Sequence, residues 1–446
     1  MKKYIEPKLA SGFRDYLPSD AAAREWMVET IKTTFKRFGF VPLDTPGAER
    51  EEILTGGDPE FRKQIFKLNL SGQDEKTALR FDLTVPLARV IATYSNEIAK
   101  PFKRYQVGNV WRGERAQAGR FREFTQFDAD IVGAPGVEAD AEIISLMYET
   151  LAALGLENFV IKINNRKILN ALPDYAGFPE NKLEKVLRIM DKLDREKWSG
   201  VEAELASVSG AALKKESIRI IGNFLELKGE SKKVLKEAAV LFKNSSIAEE
   251  GILELGELAK DVEALGVPAG NWAIDFSVAR GLGYYTGPVF EAALTDCPEI
   301  GSVFSGGRYD GLVSRFSSVN IPATGASVGV DRLFAALQKM DILPKFNSGA
   351  RALILNFDEA SRGFCEGLAT ELRRGGIATE IYLGQEKNLK GQLNYAIKQN
   401  YPAVLIAGAE ERKKGIVQIK DIKNRKQEAV PREDILNYLK NFLGVR

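Results

Sequence analysis

The feature that most restricts the fold is a group of short, strand-like segments close together in the first third of the chain. They are FVPLDTP (40–46), TALRFDLTV (77–85), PFKRYQVGNVW (101–111) and EFTQFDADIVG (123–133). Each has the length and composition expected of a β-strand. Because no regular βαβ spacing separates them, they predict an antiparallel sheet rather than a doubly wound parallel one.

Polar side chains recur at every second position of these predicted strands. Successive side chains of a strand point to opposite faces of the sheet, so residues two apart share a face. The polar sets that share a face are Arg80, Asp82 and Thr84, then Arg112 and Glu114, and then Phe124, Gln126, Asp128 and Asp130. A surface salt bridge would explain any one pair. Three ionic faces together indicate that the sheet lines a polar site.

The pattern of elements predicts an α+β fold with an interrupted first domain. A helix is predicted from Pro18, with Gly39 placed to end it. Helical patterns rich in Lys and Glu replace strand patterns from about residue 166 to 265, and strand signals resume at 272–335. Beyond the linker PKFNSGA, a β-α-β-α-β-β pattern predicts a small α/β domain. The predicted boundaries are 1–165 and 266–343 for the first domain, 166–265 for a helical insertion and 350–446 for the α/β domain.

The absence of histidine from all 446 residues restricts the chemistry. Ser-His-Asp and Cys-His nucleophile systems and imidazole acid–base pairs are excluded. The two cysteines, Cys297 and Cys365, lie far apart and form no C-x-x-C pair, so neither a disulfide framework nor a zinc site is expected. Carboxylates, arginines, tyrosines and backbone amides remain. Those groups suit a reaction that positions a ready nucleophile and stabilises charge on a phosphate.

Charge and hydropathy bear on partners and location. The formal net charge of +2 neither requires nor excludes a nucleic acid. Basic residues concentrate in ERKKGIVQIKDIKNRK (411–426), which is either a solvated charged hairpin or a surface for a polyanion. No apolar segment resembles a signal peptide or a membrane span. We therefore expect a soluble, cytoplasmic protein with no membrane partner.

Three further segments carry arginines in settings that suit an anion. ERAQAGR (114–120) is predicted to be a flexible loop, and ARGLGYYTG (279–287) combines glycines with a tyrosine pair. TGASVGVDRLFAAL (324–337) reads as strand, turn and helix, with an arginine in the first turn that the helix dipole disfavours unless an anion or ring lies against it. Neither a Walker A pattern nor a dinucleotide fingerprint is present. The candidate residues are Arg115, Gln117 and Arg120 in the first segment, Arg280, Tyr284 and Tyr285 in the second, and Arg332 in the third.

Taken in order, six segments resemble those of histidyl-tRNA synthetases, a class II aminoacyl-tRNA synthetase family. They are GFRDYLP, RFDLT, RGERAQAGRFREFTQFDAD, ARGLGYYTG, SGGRYDGL and GASVGVDRL. The resemblance covers nearly the whole chain, including the insertion and a C-terminal domain similar to the family's anticodon-binding domain. It implies activation of L-histidine with ATP and Mg²⁺, transfer to tRNA(His), a homodimer and no metal site built by the protein.

The resemblance also implies a role for each matching residue. Arg112 is expected on the ATP α-phosphate and the substrate carboxylate, and Arg280 is expected to support the transferring phosphate, so both are the catalytic candidates. Further ATP contacts are expected from Glu114, Arg120, Phe124 and Arg332. The histidine-binding residues, besides Arg112 and Arg280, are expected to be Asp82, Thr84 and Gln126 at the α-amino group and Asp130, Tyr284 and Tyr285 at the imidazole. Contacts with tRNA are expected from Arg115 and Gln117 and, on the polyanion interpretation, from Lys413, Lys414, Lys423 and Lys426.

The implied reaction is consistent with a chain that lacks histidine. Amino-acid activation has an already ionised carboxylate attack the α-phosphorus of ATP, so no general base is needed and arginines with Mg²⁺ offset the developing charge.

Three positions depart from the family's usual pattern: Gly283 for Asp, Asp331 for Glu and Ala116 for Pro. Two alternatives stay open, a synthetase-like regulatory subunit of ATP phosphoribosyltransferase and a class II synthetase for another amino acid.

Overall fold

The computed structural model describes residues 5–56, 62–69, 75–113, 121–279, 283–344 and 349–444. The chain divides into two compact units, one formed by Met1–Asp15 with Glu25–Leu343 and the other by Tyr16–Arg24 with Pro344–Arg446. Within the described ranges, no helix has both the length and the apolar composition that crossing a membrane requires.

The first unit is built on a large, mainly antiparallel sheet. The strands of this unit are β1 (Val41–Pro42), β2 (Ala48–Arg50), β3 (Lys67–Leu68), β4 (Thr77–Leu79), β5 (Phe102–Trp111), β6 (Glu123–Val132), β7 (Phe159–Asn165), β8 (Trp272–Ile274), β9 (Pro288–Leu294), β10 (Ser302–Arg308) and β11 (Ala323–Gly329). Eight of them pair in the order β1-β5-β6-β11-β10-β9-β7-β8. Only β1 with β5 and β7 with β8 run parallel among these pairs. The predicted fold class, α+β with an antiparallel sheet, is confirmed.

The two faces of the central strands differ as the alternating pattern predicts. Tyr105 and Phe127 point to the apolar face, where Phe35 packs against Phe127 with ring centroids 4.8 Å apart. Phe35 belongs to the last turns of the helix Pro18–Arg37, which ends where Gly39 adopts a φ of 78°. The polar residues of β6 therefore point to the opposite face of the sheet.

Two predicted strands are wrong over most of their length. Of FVPLDTP (40–46), only Val41–Pro42 forms a strand. The segment 77–85 forms only the three residues of β4, which pairs with β2 and β3 in a separate small sheet, and the helix Thr84–Thr93 follows at once. The Asp82 side chain accepts hydrogen bonds from the backbone N–H groups of Thr84 and Val85, at 3.2 and 2.9 Å. A carboxylate that satisfies the first N–H groups of a helix favours a turn over an extended strand. Arg80 does not share a face with Asp82, because its guanidinium donates to backbone carbonyls of other segments.

A long helical segment connects β7 with β8, which pair with each other in parallel. Its third helix, Leu183–Met190, buries the apolar side chains of Val186, Leu187 and Met190. The helices of the segment are Arg166–Asn170, Leu172–Ala176, Leu183–Met190, Leu193–Ala206, Lys215–Leu225, Ser231–Leu241 and Ser246–Ala264. The other α-helices of the first unit, besides those already given, are Glu51–Thr55, Glu138–Ala153 and Val330–Lys339.

The second unit has the predicted β-α-β-α-β-β order, with two helices that were not predicted. Its strands are β12 (Ala352–Ile354), β13 (Thr379–Ile381), β14 (Ala403–Ile406), β15 (Ile416–Asp421) and β16 (Lys426–Pro431), paired in the order β13-β12-β14-β15-β16. The two predicted helices are Glu359–Arg374 and Leu389–Lys398, and the two that were not predicted are Ala409–Lys413, between β14 and β15, and Ile435–Leu443, after β16. An apolar core that includes Leu368, Leu405 and Leu439 fills the space between the sheet and the helices.

Candidate active site

A cavity of ≈ 670 Å³ opens on the polar face of the large sheet. Its lining contains all the described residues that the sequence assigned to histidine or ATP, namely Asp82, Thr84, Arg112, Phe124, Gln126, Asp130, Tyr284, Tyr285 and Arg332. The remaining residues assigned to this region, Glu114, Arg115, Gln117, Arg120 and Arg280, lie outside the described residues, as does the Ala116 departure. The structure thus brings together side chains from distant parts of the sequence.

The predicted polar face of β6 is one wall of this cavity. Phe124, Gln126, Asp128 and Asp130 all line it, because alternate residues of the strand point the same way. Their neighbour on β11 is small for a physical reason. A Cβ atom at Gly325 would lie 2.1 Å from the Asp130 carboxylate, so only glycine leaves room for it.

Arg112 is held between two aromatic rings at the edge of the sheet. Its guanidinium carbon lies 4.3 Å from the centre of the Phe81 ring and 5.0 Å from that of Phe124. Its Nε also donates to the Phe81 carbonyl at 3.3 Å. Cation–π contacts of this kind stabilise a guanidinium in one orientation. The cavity wall therefore carries a pre-positioned cation beside an aromatic surface.

Asp130 lies in a buried ionic contact that the sequence pattern did not predict. Arg104, which is 0% exposed, lies directly opposite on β5 and forms an ion pair with Asp130 at 2.7 Å. The hydroxyl of Tyr309 donates a hydrogen bond to the same carboxylate. Burial raises the pKa of Asp130, while Arg104 and the Tyr309 hydrogen bond oppose that rise. The alternation of β5 indicates Arg104, which shares a strand face with Gln106 and otherwise with Phe102, Gly108 and Val110.

Tyr284 and Tyr285 close another side of the cavity. Their ring centroids are 5.0 Å apart, and Tyr284 meets Tyr309 edge-on at 5.9 Å. Burial is the main cause that raises the pKa of both phenols, so they are neutral hydrogen-bond donors across the physiological range. A Cβ at Gly283 would meet no described atom within 4 Å, so nothing described around this position requires glycine in place of the family's usual Asp.

The first turn of the helix Val330–Lys339 is tied to the same strand. The Asp331 carboxylate accepts a hydrogen bond from the backbone N–H of Thr125 at 2.6 Å, between Phe124 and Gln126 of β6. Asp331, although shorter than the family's usual Glu, thus still reaches a hydrogen-bond partner. Arg332 donates to the Ser302 carbonyl at 2.7 Å and projects along the cavity wall.

Three carboxylates and one arginine are buried together at the base of the cavity. Asp82, Asp128 and Asp130 are each 2% exposed, and Arg104 is fully buried beside them. Burial raises the pKa of Asp82 and raises that of Asp128 to about 7. Asp128 was predicted to share this face but was assigned no role. The arrangement carries excess negative charge and is suited to a cationic ligand group.

The four basic residues predicted to bind a polyanion lie in the second unit. All four are exposed, but they form two pairs rather than one patch. Lys413 and Lys414 precede β15, whereas Lys423 and Lys426 lie beyond its other end. A strand of this length separates the pairs by roughly 20 Å at about 3.3 Å per residue.

Two family models match the chain. The model described as histidyl-tRNA synthetase matches residues 12–333, and the model described as anticodon binding domain matches residues 351–442. The first match contains every described residue of the cavity wall. The second contains all four exposed lysines.

Individual relatives agree with these matches. A histidine–tRNA ligase of Wolinella succinogenes is 43% identical over 422 residues, which cover 94% of each chain. The structure of a histidyl-tRNA synthetase from Nostoc sp. PCC 7120 superposes with a TM-score of 0.85 at 31% identity, covering 98% of this chain and 100% of that one. A Bacillus halodurans structure titled as an ATP phosphoribosyltransferase regulatory subunit/histidyl-tRNA synthetase has a TM-score of 0.73 at 27% identity, covering 91% and 99%. A family match over most of the sequence, joined by near-full-length relatives, shows that the chain belongs to the histidyl-tRNA synthetase family.

Proposed function

We infer that this chain is a histidine–tRNA ligase. It activates L-histidine with ATP to histidyl-adenylate, releasing pyrophosphate, and then transfers the histidyl group to the 3′ end of tRNA(His), releasing AMP. The observation that carries this inference is the 43% identity with a histidine–tRNA ligase over 94% of both chains. The cavity on the polar face of the sheet is the proposed place of the first step.

The cavity can support activation without a general base. The attacking carboxylate is ionised at neutral pH, so the protein has to orient it and stabilise charge on the α-phosphate. We propose that Arg112 does both, because its two ring contacts fix the guanidinium in advance. Phe124 and Arg332 on either side of the nucleotide would hold the adenine. Arg280 is proposed for the same phosphate, although it lies outside the described residues.

Recognition of the imidazole is proposed for Asp130 and the tyrosine pair. A ring N–H needs an acceptor and the other ring nitrogen needs a donor, and a buried carboxylate and a neutral phenol supply these. Arg104 and the Tyr309 hydroxyl hold the Asp130 carboxylate in place. A buried polar group left without its partner costs about 1–3 kcal/mol, so amino acids that lack the ring nitrogens should be rejected without editing.

Mg²⁺ and a second copy of the chain complete the proposal. Among the described residues, no group of three or more carboxylate or thiol side chains is placed to hold a metal ion. We propose that Mg²⁺ enters on the triphosphate and offsets its charge, with the arginines of the cavity as the protein's own cations. Homodimerisation is proposed on the basis of the resemblance to histidyl-tRNA synthetases, and analytical ultracentrifugation can measure it.

Histidine should be the only amino acid of a standard panel that supports ATP–pyrophosphate exchange by the purified chain. The reason is that only its side chain pairs with both a buried carboxylate and a phenol. Exchange with another amino acid and none with histidine would contradict the assignment. Absence of exchange with every amino acid, together with binding to a phosphoribosyltransferase, would favour the regulatory-subunit alternative that the Bacillus halodurans structure keeps in view.

Neutralising the exposed lysines of the second unit should weaken tRNA binding and flatten its salt dependence. Two double variants, Lys413→Gln/Lys414→Gln and Lys423→Gln/Lys426→Gln, test the two ends of β15 separately. Each lysine that contacts a phosphate should remove roughly 0.7–0.9 from the slope of log affinity against log salt concentration. Pyrophosphate exchange, which needs no tRNA, is the control and should not change. An unchanged salt slope in both variants would leave a solvated charged hairpin as the explanation.

A further inference from the structure

Four buried oxygen atoms at the cavity have no hydrogen-bond donor among the described residues. One of them, Asp130 Oδ2, is ion-paired with Arg104 at 2.7 Å, which leaves Asp82 Oδ2, Gln126 Oε1 and Asp128 Oδ1. All three side chains line the cavity and are at least nine-tenths buried. A buried acceptor without a donor costs about 1–3 kcal/mol, so three in one cavity indicate that a ligand supplies the donors.

The other polar atoms of Asp82 and Gln126 are already engaged, which fixes the orientation of these two side chains. Asp82 Oδ1 accepts from the first N–H groups of the helix Thr84–Thr93. Gln126 Nε2 donates to the Ser327 hydroxyl at 2.8 Å. Asp82 Oδ2 and Gln126 Oε1 are therefore left for a ligand, and Asp128 lines the cavity with them.

The distribution of charge separates this trio from the neighbouring Asp130. Asp130 is compensated by Arg104 at 2.7 Å. Among the described residues, neither Asp82 nor Asp128 has a cationic group within 4 Å. Two buried carboxylates without a contacting cation are stabilised by a ligand that brings positive charge.

We propose that Asp82 Oδ2, Gln126 Oε1 and Asp128 Oδ1 accept the three N–H groups of the substrate's α-ammonium, so that Asp128 is a further specificity-determining residue. A primary ammonium has three donors and one positive charge, which matches three acceptors and two carboxylates that no described cation contacts. The proposal rests on the proposed function, since it takes histidine as the ligand. It gives Asp128 the third N–H group in place of Thr84 and assigns discrimination against ligands that lack the α-amino group.

The charged and polar groups around Asp128 set the expected effect of pH. It is faced by Gln126 and Asp130 on its own strand, Arg104 and Gln106 on β5, Ser327 on β11, Asp82 before the helix Thr84–Thr93, and Tyr284 and Tyr285 from the loop. Burial is the largest effect and raises its pKa to about 7, with Arg104 opposing and Asp130 and Asp82 adding to the rise. Below that pH the carboxylate takes up a proton in the ligand-free protein. Attraction for an ammonium is then reduced.

The experiment compares two ligands that differ only in the α-amino group, L-histidine and 3-(imidazol-4-yl)propionate, by isothermal titration calorimetry. The substitution Asp128→Asn keeps the shape of the side chain and removes its charge. We expect it to lower histidine affinity by about 10–100-fold, the size expected for a lost hydrogen bond to a charged group. The affinity for the propionate should change by less than about threefold on the same grounds, because that ligand has no group for Asp128. Asp296→Asn, which removes an exposed carboxylate, is the matched control and should change neither.

The outcomes separate the proposal from its alternatives. An equal loss of affinity for both ligands would overturn the proposal and place Asp128 at the ring or at the carboxylate of the ligand. No loss of affinity for either ligand would also overturn it, because Asp128 would then have a structural role only. Should Asp128→Asn not fold, the wild-type protein gives a second reading. Its preference for histidine over the propionate should decline as the pH falls from 8.5 to 5.5, and a constant preference would contradict the proposal. If the wild-type protein binds no histidine at pH 8, the proposed function itself fails.

Discussion

Replacing Arg112 by alanine is expected to lower the rate of histidine-dependent pyrophosphate exchange by roughly 10²–10³-fold, the loss typical of removing one pre-positioned donor from a developing charge. The effect should fall mainly on kcat, because negative charge on the α-phosphate increases from the bound substrates to the transition state. The half-saturating histidine concentration should rise less. Both quantities come from exchange measured over a range of histidine concentrations.

The environment of Arg112 makes a stricter test possible. Lysine keeps the charge but cannot reproduce the flat guanidinium between Phe81 and Phe124, so Arg112→Lys should recover little of the lost rate. Arg219→Ala is the matched control, since Arg219 is an exposed arginine of the helical segment paired with Glu216. It should leave exchange unchanged. A rate for Arg112→Ala within threefold of the wild type would remove this residue from the proposed chemistry.

The wall formed by β6 could be predicted from the sequence, whereas the segment around Asp82 could not. β6 pairs with β5 over its whole length and with β11 from Gln126 to Val132, so its alternation of polar and apolar residues translates directly into two faces. In the segment 77–85 the alternation is equally regular. A helix begins there instead, because the Asp82 carboxylate satisfies the N–H groups of Thr84 and Val85. Local capping overrides a strand pattern when the strand has no partners beyond Leu79.

The residues that sequence reasoning missed are those brought in by strand register. Arg104 lies opposite Asp130 because β5 and β6 pair in one register, and a shift of one residue would place it on the other face. Tyr309 reaches the same carboxylate from the end of β10, 179 positions along the chain. Periodicity within a segment says which residues share a face, but not which residues of another strand lie beside them. For that reason the family resemblance identified Asp130 but not Arg104 and Tyr309, which hold its carboxylate.

Substituting Arg104 by methionine should destabilise the first unit by about 3–5 kcal/mol, the usual cost of leaving a buried charge without its partner. The expected loss arises because Asp130 is 2% exposed and has Arg104 as its ion-pair partner. The four tryptophans, Trp26, Trp111, Trp198 and Trp272, all belong to this unit, so urea unfolding followed by tryptophan fluorescence reports on it specifically.

The pH dependence and a double variant distinguish this mechanism from simple loss of packing. Burial already raises the pKa of Asp130 and Arg104 opposes the rise, so the pKa should be higher still in Arg104→Met. A carboxyl whose folded-state pKa is raised loses its contribution to stability as the pH increases. The deficit relative to the wild type should therefore be larger at pH 8 than at pH 5, where Asp130 can hold a proton. Adding Asp130→Asn should restore most of the stability at pH 8 without restoring histidine affinity, since the proposed acceptor for the ring is then an amide. A deficit that is equal at both pH values and is not relieved by Asp130→Asn would show that Arg104 contributes packing rather than charge.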